Sequence, residues 1–372
     1  QMLVGVPKEI KNHEYRVGLT PASVLELVNR GHQVIIEDNA GAGIDFSNEQ
    51  YIAAGASIVA SAAEIFERAE MIIKVKEPQA QECAMLREGQ VLYTYLHLAP
   101  DPQQTELLLK SGATCIAYET VTDHQGGLPL LAPMSEVAGR MSIQAGAHHL
   151  EKAAGGRGVL LGGVPGVAPA KVLVIGGGVV GVNAATMAIG MGADVTLVDR
   201  SLPRLRQLDA EFNGRVKCVY STTSAIEEYA LDADLVIGAV LIPGAAAPKL
   251  LTRDMISRMK KGAVVVDVAI DQGGCFETSK ATTHQEPTYV IDDVVHYCVA
   301  NMPGGVARTA TMALNNATLP FALALAKDPK QALLNDKHLL NGLNVHKGMI
   351  TYQAVAEALG YDYVDARIAL EK

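Results

Sequence analysis

The sequence predicts an α/β chain of two domains, the second inserted into the first. Short apolar runs alternate with capped, helix-like stretches from the first residues onward, the pattern of a parallel sheet covered by helices. The alternation starts afresh after a Gly- and Pro-rich stretch, Gly155 to Pro169. The length, 372 residues, also exceeds what one core usually organises.

In chain order, Met2 to Val6 reads as a strand. Thr20 and Pro21 supply an N-cap and a first-turn proline, and Gly31 a stop, for a helix over Ala22 to Arg30. Gln33 to Glu37 is the next strand, Ser61 caps a helix to about Arg68, and Met71 to Val75 and Gln90 to Tyr95 are strands. Asp101-Pro102 opens a helix that Gly112 ends, and Thr114 to Tyr118 is strand again. Ser135 can cap a helix to about Lys152. The second series runs strand Lys171 to Ile175, helix Val179 to Met191, and strand Asp194 to Val198. Later strands are expected at Asp234 to Val240, Ala263 to Ile270 and Tyr297 to Ala300. From Thr309 to about Ala326 the chain is helix-like, with a kink or break expected at Pro320. Boundaries near 130 and 305 then separate an outer domain, 1–130 plus 305–372, from an inserted one, 131–304.

Composition narrows the function classes. With 49% hydrophobic and 19% charged residues the chain can bury a large core. A net charge of -9 and the lack of a basic block disfavour nucleic acid as a partner. The five cysteines, Cys83, Cys115, Cys218, Cys275 and Cys298, form no C-x-x-C pair and read as buried small hydrophobes in a reducing compartment. No H-x₃-H or H-E-x-x-H spacing suggests a catalytic metal. The N-terminus lacks a basic region before a long apolar stretch, and the most apolar region, Val159 to Val182, is broken by Pro165, Pro169 and many glycines. A soluble, cytoplasmic protein is expected, with no membrane partner.

One motif carries chemistry by its context. Gly176-Gly177-Gly178-Val179-Val180-Gly181 fits G-x-G-x-x-G and lies between the apolar strand Val172 to Ile175 and an alanine-rich helix. Gly176 permits the tight turn, Gly178 lets backbone approach a pyrophosphate, and Gly181 lets helix pack on strand. The helix N-terminus offers N–H groups and a positive dipole end to phosphates. The following strand ends at Asp199, whose carboxylate can accept from ribose hydroxyls and would repel a 2′-phosphate. NAD is therefore favoured over NADP, although nearby Arg204 could face a phosphate. The inserted domain is read as a Rossmann-like, doubly wound NAD-binding domain, and the outer one as a second such sheet holding the substrate.

Ligands of open α/β sheets bind beyond the carboxyl ends of the strands. That rule selects Lys76, His97, Asp271, and Asn301 with Met302. Any one of them alone serves equally well as a turn former. Their joint occurrence in both domains points to a shared cleft. Arg16 follows a polar loop, Lys11 to Tyr15, and periodicity alone makes it a surface charge.

Several whole segments resemble the alanine dehydrogenase family. They include Gly5-Val6-Pro7-Lys8-Glu9, Arg16-Val17-Gly18-Leu19-Thr20-Pro21, Val75-Lys76-Glu77-Pro78 and Tyr95-Leu96-His97-Leu98-Ala99. Ala132-Pro133-Met134-Ser135-Glu136, Asp267 to Gly274 and Val299-Ala300-Asn301-Met302-Pro303 continue the likeness over nearly the whole chain. The resemblance implies that Arg16 holds a substrate carboxylate, that Lys76 contacts the carboxylate or carbonyl oxygen, and that His97 is the general acid/base. Asp271 would share in proton transfer or orient the reacting groups. Around NAD it places Ser135, Val179, Val180, Asp199, Arg204, Ser221, Val240, Leu241, the turn Val268, Ala269, Ile270 and Asp271, and Val299, Ala300, Asn301 and Met302. It further implies reversible oxidation of L-alanine to pyruvate and ammonia, and a homohexamer. A transhydrogenase nucleotide-binding component shares the amino-terminal motifs, and a lysine-forming saccharopine dehydrogenase or a non-enzymatic dinucleotide sensor would share the scaffold. Arg16, Lys76 and His97 together favour a small carboxylate substrate over these.

Overall fold

A computed structural model describes residues 1–242 and 247–372. The chain divides into two compact units, 1–134 with 306–372, and 135–305. The first is built on strands β1 (Leu3–Val6), β2 (Gln33–Glu37), β3 (Ser57–Val59), β4 (Met71–Ile73), β5 (Val91–Thr94) and β6 (Thr114–Ala117). The second holds β7 (Lys171–Ile175), β8 (Asp194–Asp199), β9 (Val216–Tyr220), β10 (Leu235–Gly238), β11 (Val264–Asp267), β12 (Thr288–Ile291) and β13 (Val294–Tyr297). Strands β14 (Leu343–His346) and β15 (Met349–Ile350) return to the first.

In the first unit the sheet order is β15-β14-β6-β5-β4-β1-β2-β3. Strands β1 to β6 pair in parallel, with Val4 opposite both Val34 and Met71, and Leu92 opposite Ile72 and Cys115. Only β14 and β15 join antiparallel. The central strands are apolar on both faces because helices cover both. Ile65, Phe66, Ile72, Leu92, Leu108, Cys115 and Val345 form one continuous core. Thr20, Ser61 and Asp101 cap the helices Pro21–Asn29, Ala62–Arg68 and Pro102–Ser111 through their side chains, as expected.

The second sheet runs β12-β13-β11-β10-β7-β8-β9, parallel except for β12. Its core joins Val172, Val174, Leu197, Leu235, Ile237, Val264 and Val266 to Ala184, Ala185 and Ala188 of helix Val179–Gly190. Both sheets therefore start in the middle, wind to one edge and then return to wind the other way. That doubly wound, Rossmann-like order leaves a crevice at the carboxyl ends of the strands flanking the reversal.

Several boundaries differ from the sequence expectation, each for a local reason. Strand β4 stops at Ile73, because the Glu9 carboxylate takes the N–H groups of Val75 and Lys76. Strand β11 stops at Asp267, whose own carboxylate accepts from Ala269 N, and Ile270–Gln272 is a 3₁₀ turn. The strand expected at Tyr297 to Ala300 lies at Val294–Tyr297, and Cys298 and Ala300 bond Thr282 instead. Ser135 is no cap: it sits within helix Ala132–His149. Helix Ala307–Lys327 is continuous across Pro320. Arg16, a surface charge by periodicity, is 3% exposed. Cys83, Cys115, Cys275 and Cys298 are buried, Cys218 is partly so, and all five are free thiols. No helix of the described residues is long and apolar enough to cross a membrane.

Candidate active site

In the first unit, the polar residues singled out from the sequence gather at the carboxyl ends of adjacent parallel strands. Arg16 lies on the segment after β1, Lys76 follows β4, and His97 follows β5. Glu14 forks onto Arg16, accepting from Nε at 2.8 Å and Nη2 at 2.7 Å, while Nη1 meets the Met134 sulfur at 3.3 Å. Burial opposes ionisation of Glu14, but the hydrogen bonds and charge of Arg16 outweigh it and hold the carboxyl below its usual range. Lys76 is within electrostatic reach of the same carboxylate.

Beneath Lys76 lies a fully buried ion cluster. Lys74 Nζ is 2.9 Å from Glu9 Oε1 and 3.3 Å from Glu82 Oε2, and all three side chains are at most 2% exposed. Burial alone would discharge the ammonium; the two carboxylates reverse that and keep Lys74 protonated. Glu9 also accepts from Val75 N and Lys76 N, each at 3.1 Å, which pins the backbone that presents Lys76.

His97 has left-handed backbone, φ 49°. A non-glycine residue stays there only when its surroundings demand it. Glu119, in the turn after β6, supplies the demand by accepting from Leu96 N at 3.1 Å and His97 N at 2.5 Å. The imidazole is 46% exposed, stacks on the Tyr95 ring and places Nδ1 2.8 Å from Glu77 Oε1. Burial lowers its pKa, whereas the Glu77 hydrogen bond and the charges of Glu119 and Glu77 raise it further, so the balance is upward.

In the second unit, the expected dinucleotide residues also lie at carboxyl ends of parallel strands. Gly176 (φ 111°) turns the chain out of β7, and a Cβ at Gly181 would collide with the Gly176 carbonyl oxygen. Gly177 N donates to Asp199 Oδ2 at 2.8 Å, and Arg204 Nε donates to Gly177 O at 2.8 Å. Gly178 is the N-cap of helix Val179–Gly190, with no side-chain cap and open space where a Cβ would stand. An uncapped helix end behind side-chain-free backbone fits a pyrophosphate. Val180 is buried in the core, whereas Val179 and Leu241 are exposed. Asp199 ends β8, Ser221 follows β9 and donates its N–H to Asp199 O, and Val240 follows β10. Val268, Ala269, Ile270 and Asp271 form the loop after β11, with Asp271 exposed. Val299, Ala300, Asn301 and Met302 follow β13, and Asn301, at φ 60°, offers its carbonyl to His284 Nε2 at 2.9 Å.

Sequence reasoning gave no role to Glu9, Glu14, Lys74, Glu77, Glu119 or Asp267. Glu9, Glu77 and Asp267 stand inside the quoted family segments, so a signal existed; Glu119 had none. Among the described residues no cluster of three or more His, Cys, Asp or Glu could hold a metal ion.

Two sheets of the same winding order, one bearing a glycine-rich turn before an uncapped helix, define the class: an α/β protein with two Rossmann-like units. Comparison with known proteins narrows it. Family models described as alanine dehydrogenase/PNT, N-terminal domain and C-terminal domain, match residues 5–138 and 142–353. The chain belongs to the alanine dehydrogenase/PNT family. An alanine dehydrogenase of Halomonas elongata is 66% identical over 366 residues, 98% of this chain and 99% of that one. Among solved structures, an L-alanine dehydrogenase chain superposes with TM-score 0.94 at 51% identity, covering 96% of this chain and 99% of its own length. A transhydrogenase from Sinorhizobium meliloti does so with TM-score 0.81 at 26% identity, covering 95% and 99%.

Removing one member of the ion cluster tests how it is balanced. Lys74→Met leaves two buried carboxylates without their counter-charge and should cost roughly 3–5 kcal/mol in urea unfolding at neutral pH. An unchanged unfolding midpoint would show that Glu9 and Glu82 do not need the ammonium.

Proposed function

We propose that the chain is an NAD-dependent L-alanine dehydrogenase, converting L-alanine, NAD and water to pyruvate, ammonium, NADH and a proton. The observation that carries this reading is the set of Arg16, Lys76 and His97 at neighbouring strand ends of one sheet, in a chain 66% identical to an alanine dehydrogenase over 98% of its length. A guanidinium and an ammonium suit a small carboxylate next to a carbon that becomes a carbonyl. The histidine suits proton transfer at that carbon.

NAD, when bound, supplies the hydride acceptor for the substrate Cα. Gly176, Gly178, Val179, Val180 and Gly181 would hold its pyrophosphate, and Asp199 its adenosine ribose. Two of the roughly four lone-pair positions of the Asp199 carboxylate serve Gly177 N and Ser201 N, which leaves acceptors for ribose hydroxyls. Arg204, Ser135, Ser221, Val240, Leu241, Val268 to Asp271 and Val299 to Met302 complete the proposed NAD contacts. The Nε of Arg204 is committed to Gly177 O, which weakens the case for a 2′-phosphate there.

Arg16 fixes the substrate carboxylate, and Lys76 adds positive charge where the carbonyl oxygen develops. Once the substrate carbon is an iminium, His97 accepts a proton from the attacking water, forming the carbinolamine. It returns that proton to the carbinolamine nitrogen, so that ammonia departs as the carbonyl forms and takes up the hydroxyl proton to leave as ammonium. Asp271 would share in proton transfer or orient the reacting groups. In this reading 1–130 plus 305–372 is the substrate domain and 131–304 the NAD domain. The structural likeness to a transhydrogenase favours a second reading, a nucleotide-binding component that transfers hydride between nucleotides only. NADH formation driven by L-alanine separates the two.

The chain should form NADH with L-alanine, and His97→Ala should lower turnover by about 10²–10⁴-fold while NADH still binds. Turnover like that of the wild type would remove His97 from the chemistry. Asp199→Gly should narrow the preference for NAD over NADP, read as the ratio of kcat/KM values; an unchanged ratio would mean that Asp199 does not read the ribose. A cytoplasmic homohexamer belongs to the same proposal. Leu160, Val164, Val167 and Met191, all more than half exposed, supply apolar surface for self-association. Light scattering should find six chains per particle, and a monomer would reject the assembly.

A further inference from the structure

Glu77 stands where three charged side chains meet. Its Oε1 is 2.8 Å from His97 Nδ1, and its Oε2 lies 3.5 Å from Lys76 Nζ and 3.6 Å from Lys11 Nζ. Among the described residues Oε2 is buried without a hydrogen bond, and the two ammonium charges lie closest to compensating it. The geometry is fixed from both sides. Glu9 pins Val75 and Lys76 immediately before Glu77, and Pro78 restricts its backbone from the other side. Glu119 pins Leu96 and His97. The carboxylate is 13% exposed and the imidazole 46%, and the ring is anchored on the carboxylate through Nδ1.

We infer that Glu77 is a positioning residue that holds His97 in the Nδ1–H tautomer and so reserves Nε2 for the substrate proton. This rests on the proposal that His97 is the acid/base. A carboxylate at Nδ1 can only accept, so the proton of the neutral ring must sit on Nδ1 and the lone pair on Nε2. When Nε2 takes a proton, Glu77 faces the new positive charge directly. Lys76 and Lys11 keep Glu77 ionised in turn: burial opposes ionisation, but the His97 hydrogen bond and the Lys76 charge hold its carboxyl far below the usual range. The carboxylate therefore orients the imidazole without capturing its proton. The other groups facing His97 are Glu119, which favours the imidazolium, Lys76, which disfavours it, and the stacked Tyr95 ring.

The test needs His97 read with and without turnover. Diethyl pyrocarbonate acylates neutral imidazole, and the modified His97 peptide is quantified by mass spectrometry across pH in the wild type, Glu77→Gln and Glu77→Asp. Removing the charge should move the midpoint of the Glu77→Gln curve to lower pH. At a pH below both midpoints, modification relative to its own high-pH plateau should be about threefold or more above the wild type. Glu77→Asp, which keeps the charge, should lie close to the wild type. In alanine oxidation, which needs neutral His97, the acid limb of kcat/KM should move the same way in Glu77→Gln. A midpoint that stays or rises in Glu77→Gln overturns the role of Glu77. A wild-type enzyme inert toward L-alanine overturns the proposed function instead, and the peptide chemistry still decides Glu77.

Discussion

A carboxylate that accepts backbone N–H groups just beyond a parallel strand is the interaction on which both site regions depend. Four carboxylates each take two such amides. Glu9 takes Val75 and Lys76, Glu119 takes Leu96 and His97, Asp199 takes Gly177 and Ser201, and Asp267 takes Ala269 and Cys275. Parallel strands leave amides without ladder partners where they end, and a buried amide left alone is costly. A charged acceptor satisfies two amides at once, and hydrogen bonds to charged groups contribute about 1.5–3 kcal/mol each. The same contact decides where each strand stops and which way the next side chain points. The sheet ends thus become rigid presenters of polar groups rather than frayed loops.

The buried carboxylates of the two site regions are not all shifted in the same direction. Glu14 and Glu77 have cations at hydrogen-bond or ion-pair range, and their pKa values fall despite burial, whereas at Glu9 complete burial outweighs Lys74 and the shift is upward. Asp267 is instead lined by hydrogen-bond donors, Ser279, Cys275 and Ala269. It is fully buried, and burial pushes its pKa up against the opposing hydrogen bonds of Ser279, Cys275 and Ala269. The first unit therefore concentrates fixed charge around Arg16, Lys76 and His97, whereas Asp267 braces the loop carrying Asp271 chiefly through hydrogen bonding.

Periodicity and capping residues made most of the helix–strand alternation legible. Thr20, Ser61, Asp101 and Gly112 act as read, because caps are local chemistry. Strands β3, β9, β12, β14 and β15 escaped notice: they are two to five residues long, at or beside sheet edges, where pairing rather than pattern makes a strand. Long-range acceptors were illegible for the same reason. Nothing near Lys76 announces that Glu9 will end its strand, and nothing near His97 points to Glu119. The glycine turn, by contrast, was readable, since Gly176 and Gly181 answer to steric demands within one strand–helix step. Arg16 reversed its expected exposure because Glu14, two residues away, neutralises it in place.

The return of β14 to the edge of β6 has a consequence for how the chain is made. Ile116 meets Leu343 only after the whole intervening unit has left the ribosome. Domains tend to fold as units during synthesis, so the inserted sheet, whose strands are contiguous in sequence, can close first. Meanwhile β6 carries an open edge, the kind of surface that invites wrong strand pairing. The part of the protein synthesised earliest is thus among the last to be sealed, and its nascent edge is where a chaperone would have most to protect.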